Sequence, residues 1–167
     1  MKKDPDDTRE PAADPPAFFA DAMLGSLARW MRTLGYDVEY ENSIGDRELV
    51  ERAVKEGRVI LTRDRLLVER RLAKGRTLFI TGVKAGEQLR QVAARYGVPQ
   101  GRFLTRCLRC NTVLEEVAKE AIEGKVPEYI YETAERFTVC LKCGRVYWAG
   151  SHRDNMLKDV EELLKGG

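Results

Sequence analysis

The sequence predicts an α/β fold: a mainly parallel sheet flanked by helices on both faces, followed by a small second unit organised around paired cysteines. Three observations carry this. From Phe18 to Leu104, short apolar runs alternate with amphipathic stretches at helical spacing. Each amphipathic stretch closes at a glycine. The cysteines all fall beyond residue 106, where the alternation stops. Strands that alternate with helices imply parallel pairing, with the helices covering both faces.

The elements follow in order. Ala17–Ala20 is an apolar strand. Leu24, Leu27, Ala28, Met31 and Leu34 share a helical face, and Gly35 ends that helix, since glycine enters the left-handed conformation without steric cost. Tyr36–Tyr40 alternates as a strand. Leu49, Val50, Ala53 and Val54 mark a second helix, Val59–Thr62 a buried strand, and Leu66, Leu67, Val68 and Leu72 a third helix. Thr77–Thr81 is a strand, and Leu89, Val92, Ala93 and Tyr96 mark a fourth helix. Arg102–Thr105 is predicted as a fifth strand. Beyond Cys107 the sequence predicts a helix near Thr112–Ile122, a hairpin from Arg136 to Trp148 and a helix near Asp154–Leu164. Residues 1–16 hold four of the six prolines and five acidic side chains, the composition of a disordered tail. The expected units are therefore the tail, residues 17–105, and residues 106–167.

Charge and composition narrow the function. The chain has 167 residues and a net charge of +2, but its charges are segregated. Residues 58–109 carry thirteen basic and three acidic side chains, and eleven of the thirteen are arginine. The segments on either side are net acidic. Arginine forks match phosphate oxygens, so RNA or another polyanion is the expected partner. A solvated basic face is the plainer alternative. Mean hydropathy is -0.43 and no apolar run is long enough to span a membrane. MKKDPDDTREPAADPP has no apolar run behind its lysines, so a cytoplasmic location is expected rather than a secretory one. With His152 as the single histidine, cleavage by a histidine pair is excluded.

Cys107, Cys110, Cys140 and Cys143 form the pattern C-x2-C-x29-C-x2-C. Each two-residue gap lets both sulfurs of a turn converge on one ion, and Gly144 suits such a turn. Four thiolates point to one tetrahedral, closed and therefore structural Zn2+, in a zinc ribbon. Disulfides or a redox pair are the rival readings. Arg106, Arg109, Lys142 and Arg145 stand beside the ligands and can offset the charge of four thiolates.

Three aspartates stand at equivalent points of the repeating units. Asp21 follows the first strand, Asp64 follows VILT, and Asp46 opens the second helix. In an open parallel sheet the carboxyl ends of the strands line the ligand crevice. Converging carboxylates suit Mg2+ or Mn2+, which activate water and stabilise charge on a phosphodiester. Each aspartate also sits where a helix cap is expected. Three on one edge, with Arg63 and Arg65 flanking Asp64, favour chemistry. Arg29 lies on the helix that begins beside Asp21, where it can face the crevice or water; Arg70 and Arg71 lie in the basic segment, and Arg106, Arg109 and His152 lie beside the ribbon; all are candidate RNA contacts. Trp30 and Trp148 can stack on bases or simply be buried.

The runs DAMLGSLARWMRTLGYDV and GDRELVERAVKEGRVILTRDRLL, the two C-x2-C pairs and YWAGSH resemble the PIN-like ribonuclease domain with a C-terminal zinc ribbon, the Mut-seven C-terminal RNase family. The resemblance runs from about Phe18 to Met156. It implies a PIN-like α/β fold and metal-dependent cleavage of RNA, with the family's acidic positions on Asp21, Asp46 and Asp64. PIN nucleases often carry a fourth acidic residue near a later strand end. Here TLFITGVKAGE has none before Glu87, which implies one firm metal rather than two. The expected function is a Mg2+- or Mn2+-dependent ribonuclease whose ribbon aids RNA binding. The alternatives are a non-catalytic module that docks on ribosomal or transfer RNA, and a protein-interaction adaptor.

Overall fold

The structure, a computed structural model, describes residues 14–166. The tail expected over residues 1–16 lies outside the described residues as far as residue 13. At its described end Asp14 pairs with Arg102 at 2.6 Å.

Four parallel strands form the main sheet: β1 (Phe18–Ala20), β2 (Val38–Tyr40), β3 (Val59–Thr62) and β4 (Thr77–Phe79), in the order β2-β1-β3-β4. β1 is central, and Phe18, Phe19 and Ala20 are fully buried. Alternation along the strand sends their side chains to opposite faces. Phe18 and Ala20 join Val38 and Leu61 in one core, covered by α1 (Gly25–Thr33) and α4 (Ala85–Tyr96). Phe19 and Ile60 join the other, under α2 (Asp46–Glu56) and α3 (Arg65–Glu69). Burying each phenylalanine stabilises the fold by about 1.5–3 kcal/mol. The expected doubly covered parallel sheet is therefore present.

Arg102–Thr105 is not a fifth strand. Leu104 has φ +52°, and the Thr105 N–H donates to the Arg102 carbonyl, so the segment turns. It crosses the carboxyl end of α1, where the Leu104 N–H donates to the Thr33 carbonyl at 2.9 Å. Gly35, at φ +91°, permits this crossing, because a Cβ there would lie 2.3 Å from the Arg102 carbonyl oxygen. An alternation of four residues does not distinguish a strand from such a cap.

The expected helix over Thr112–Ile122 is also replaced. Arg106 and Val113 form an antiparallel bridge, β5 (Glu115–Val117) follows, and a 3-10 turn spans Lys119–Ile122. β5 pairs with β6 (Phe137–Val139), which pairs with β7 (Val146–Trp148), giving an antiparallel sheet in the order β5-β6-β7. Pairing with β6 overrides the helix propensity of LEEVAKE. The short α5 (Glu128–Thr133), which the sequence reading omitted, starts after Pro127 and places Ile130 against Ile122 and Phe137. The hairpin was expected. α6 (Ser151–Lys165), expected near Asp154–Leu164, leaves the ribbon and buries Val160 in the core under α1 and α4.

Ribbon and sheet are joined by two buried polar residues. Arg32, only 4% exposed, donates to the Val38 carbonyl and to the carbonyls of Leu108 and Arg109 at 3.1 and 3.0 Å. Burial disfavours its charge, while Glu39, Cys107 and Cys110 favour it. Asn111, 3% exposed, accepts from the Val38 N–H and donates to Asp37 and Glu39. Arg32→Ala leaves the Val38, Leu108 and Arg109 carbonyls without this donor in a largely buried seam. It is expected to cost about 3 kcal/mol, read as a lower urea midpoint, and Arg32→Lys recovers only part.

Candidate metal centres and active site

The two cysteine pairs fold into equivalent turns. The Asn111 N–H donates to the Cys107 carbonyl at 2.9 Å, and the Gly144 N–H to the Cys140 carbonyl at 2.8 Å. Both Asn111 (φ +64°) and Gly144 (φ +72°) are left-handed, the conformation that asparagine and glycine tolerate best. The four sulfurs lie within 4.8 Å of one another, and no disulfide forms among them. Cys107 Sγ and Cys143 Sγ are 3.7 Å apart. A tetrahedron with bonds of about 2.3 Å has edges of about 3.8 Å, so the thiols fit a zinc ion.

Their acidities are split. Burial raises the Cys107 thiol, but hydrogen bonds from the Tyr147 hydroxyl and the Cys110 and Arg109 amides outweigh it and lower the pKa. Burial, the Cys143 contact and the charge of Cys107 raise Cys110. A dication relieves the mutual repulsion that opposes four thiolates. The sequence pointed to Arg106, Arg109, Lys142 and Arg145 as the offsetting cations. The structure adds Arg32, whose helical spacing gave no sign of the role.

The second site is at the carboxyl edge of the parallel sheet. The connection from β1 runs outward to β2, and the chain then returns past β1 to β3. The carboxyl ends of β1 and β3 therefore flank the reversal of strand order, the usual ligand crevice of an open parallel sheet. Asp21 follows β1 and Asp64 follows β3. Thr62, fully buried, links them: its hydroxyl donates to Asp21 Oδ2 at 2.7 Å and accepts from the Asp64 N–H at 2.9 Å. Asp21 Oδ1 accepts from the Ala22 N–H, and Asp64 Oδ1 caps α3 through the Leu66 N–H. Capping thus uses one oxygen of each. Asp64 Oδ2 has no protein partner among the described residues. The sequence reading missed Thr62; its signal was a hydroxyl two residues before an aspartate, at a buried strand end.

Asp46 is the first residue of α2, after Gly45, and its Oδ2 pairs with Arg70 at 3.2 Å. Among the described residues, only the cysteines form a group of three or more ligating side chains within 4.8 Å of one another. The three aspartates do not meet at that mutual reach. Glu87 caps α4, accepting from the Val83 and Lys84 amides.

The candidate RNA contacts divide. Arg29, Arg63, Arg65, Arg70, Arg71, Arg109 and His152 are exposed. Arg63 and Arg65 flank Asp64, and the Arg65 guanidinium lies 5.5 Å from the Phe79 ring centre. Arg106 is half-buried, donating to the Asn111 carbonyl and facing Asp37 at 3.7 Å, and so belongs to the seam. Trp30 packs on the main core and Trp148 on the ribbon core.

A parallel sheet with carboxylates at its strand-order reversal is thus sewn to a four-cysteine ribbon able to hold a metal ion. The family model described as the Mut7-C RNAse domain matches residues 16–160. The chain belongs to the Mut7-C RNAse domain family, which gives it ribonuclease-type activity in general, with RNA as the substrate class. Neither the curated proteins nor the solved structures give a match. Among the described residues, no helix is long and apolar enough to cross a membrane.

Proposed function

We propose that the chain hydrolyses RNA phosphodiester bonds at the carboxyl edge of its parallel sheet, with Mg2+ or Mn2+ held by Asp21 and Asp64 and joined by Asp46. The Asp21–Thr62–Asp64 linkage at the reversal of strand order carries this reading. When bound, the ion supplies an acidified water and charge stabilisation on the phosphate. The chain's own residues do the rest. Thr62 donates to Asp21 and so fixes the direction in which that carboxylate points. Asp64 keeps one oxygen without a protein partner among the described residues. Arg63, Arg65, Arg70, Arg71 and Arg29 supply cations for the RNA backbone, whose contacts position rather than specify. The cysteine ribbon holds a structural Zn2+ and adds Arg109 and His152 to the RNA surface. Thiols kept for zinc suit a reducing compartment, the cytoplasm.

The test is incubation of zinc-loaded protein with single-stranded RNA and Mn2+ or Mg2+. Cleavage that depends on the added ion supports the reading; intact RNA with either ion overturns it. A second reading has its own support in the separation of the three carboxylates and in Glu87 acting as a cap. In that reading the chain is a non-catalytic RNA-binding module. It predicts affinity that falls steeply with salt and survives alanine at all three aspartates.

Arg70 competes with any cation for Asp46. Arg70→Ala is therefore expected to tighten Mn2+ binding a few-fold, the scale of an exposed ion pair, in a titration followed by Mn2+ electron paramagnetic resonance. Unchanged or weaker binding would remove Asp46 from the ligand set.

A further inference from the structure

A second cleft lies between the ribbon and the amino end of α6, with a volume of about 460 Å³. That is within the ~300–1,000 Å³ of sites that enclose a small ligand. Phe103, Trp148 and His152 line it, together with Arg136, Arg145 and Arg153. Phe103 and Trp148 are half-buried, whereas His152 and the three arginines are exposed. Among the described residues none of these arginines has a carboxylate within ion-pair distance. The Arg153 guanidinium lies 5.6 Å from the Phe103 ring centre. Glu116 is the one acidic residue of the lining.

Among the described residues these three cations have no carboxylate partner, so an anion lying among them and the aromatic residues would meet guanidinium donors. Rings accept a base by stacking, and guanidiniums accept the phosphates on either side of it. We propose that this cleft holds an unpaired nucleobase of the RNA strand, with Arg136, Arg145 and Arg153 on the adjoining phosphates. The identity of the polymer rests on the ribonuclease reading above; the cleft chemistry is its own.

The cleft is also set apart from the aspartates. Leu104, in its wall, binds the carboxyl end of α1 through Thr33, whereas Asp21 precedes the amino end of the same helical run. The nine residues of α1 alone measure about 13 Å along its axis. A strand that fills both sites must be several nucleotides long, so the cleft selects against the shortest RNAs.

The test uses the full zinc-loaded chain carrying Asp64→Asn, without added divalent metal, so that binding is read apart from cleavage. Fluorescence anisotropy of a labelled dodecauridylate is compared before and after His152→Ala with Arg153→Ala, two exposed positions, and separately after Trp148→Ala. A loss of affinity of about tenfold or more is expected. Photocrosslinking of a 4-thiouridine form is expected to label the peptide containing Tyr147–Arg153. Unchanged affinity in the His152/Arg153 variant, or crosslinks only elsewhere, overturns the assignment. So does equal competition by oligoglutamate, which would show that charge alone is recognised. If these substitutions weaken binding but the unsubstituted chain cleaves no RNA, the cleft stands and the enzymatic reading falls. If the chain cleaves RNA and the substitutions change nothing, the reverse holds.

Discussion

Asp64→Asn is expected to reduce Mn2+-dependent RNA cleavage by at least about a hundredfold while moving unfolding stability by less than about 1 kcal/mol. The two effects separate because Asp64 has two oxygens. Oδ1 caps α3 through the Leu66 amide, and asparagine caps a helix about as well as aspartate. Oδ2 has no protein partner among the described residues, so loss of its charge is felt by a bound cation and not by the fold. Asp21→Asn should lose as much activity. It is 8% exposed and accepts from both Ala22 and Thr62, so its stability cost is larger. Thr62→Val touches neither carboxylate covalently. Releasing Asp21 from its donor, it should lower activity about 10–100-fold, the usual penalty for removing a group that orients a ligand. Cleavage by Asp64→Asn at the rate of the unsubstituted chain would reduce both aspartates to helix caps.

Removal of zinc is expected to have the largest effect on stability. Structural zinc in small domains contributes about 10–16 kcal/mol of folding free energy at neutral pH. The ribbon core is slight: Ile122, Ala134 and Phe137 are its buried members. Chelation, or Cys140→Ser at a fully buried ligand, should therefore unfold β5–β7 and expose Trp148, read as a red shift in its fluorescence. The same site should respond to acid. Thiols bind zinc as thiolates, so protons compete with the metal and affinity falls as pH falls. Burial and its thiol neighbours raise Cys110, so without metal it holds its proton more firmly than an ordinary cysteine. Zinc release to a chromophoric chelator should accordingly increase as pH is lowered. A ribbon that stays folded after chelation would show that its side-chain packing suffices.

Periodicity made the parallel sheet legible, because each of its strands is enclosed by helices and its apolar runs have no other use. The cysteine spacing made the four-thiol site legible, since two turns of fixed length leave the sulfurs little choice of direction. What escaped was decided by contacts distant in sequence. Arg102–Thr105 alternates like a strand but caps α1. LEEVAKE favours a helix but pairs with β6. Arg32 looks like one more cation on a polar helix face, and only its carbonyl partners in the seam explain its burial. In the candidate site the sequence aligned Asp21, Asp46 and Asp64 on one edge. It gave no means of seeing that Arg70 engages Asp46, because that ion pair joins α2 to the turn after α3.

Asn111 does more than close the Cys107–Cys110 turn. β2 is an outer strand of the parallel sheet, and the Asn111 amide oxygen occupies the Val38 N–H where a further strand would otherwise pair. Uncovered outer strands are templates for pairing with other chains. The four-cysteine ribbon therefore covers part of this outer border, and loss of its fold is expected to open β2 to pairing with neighbouring molecules, read as concentration-dependent association in sedimentation.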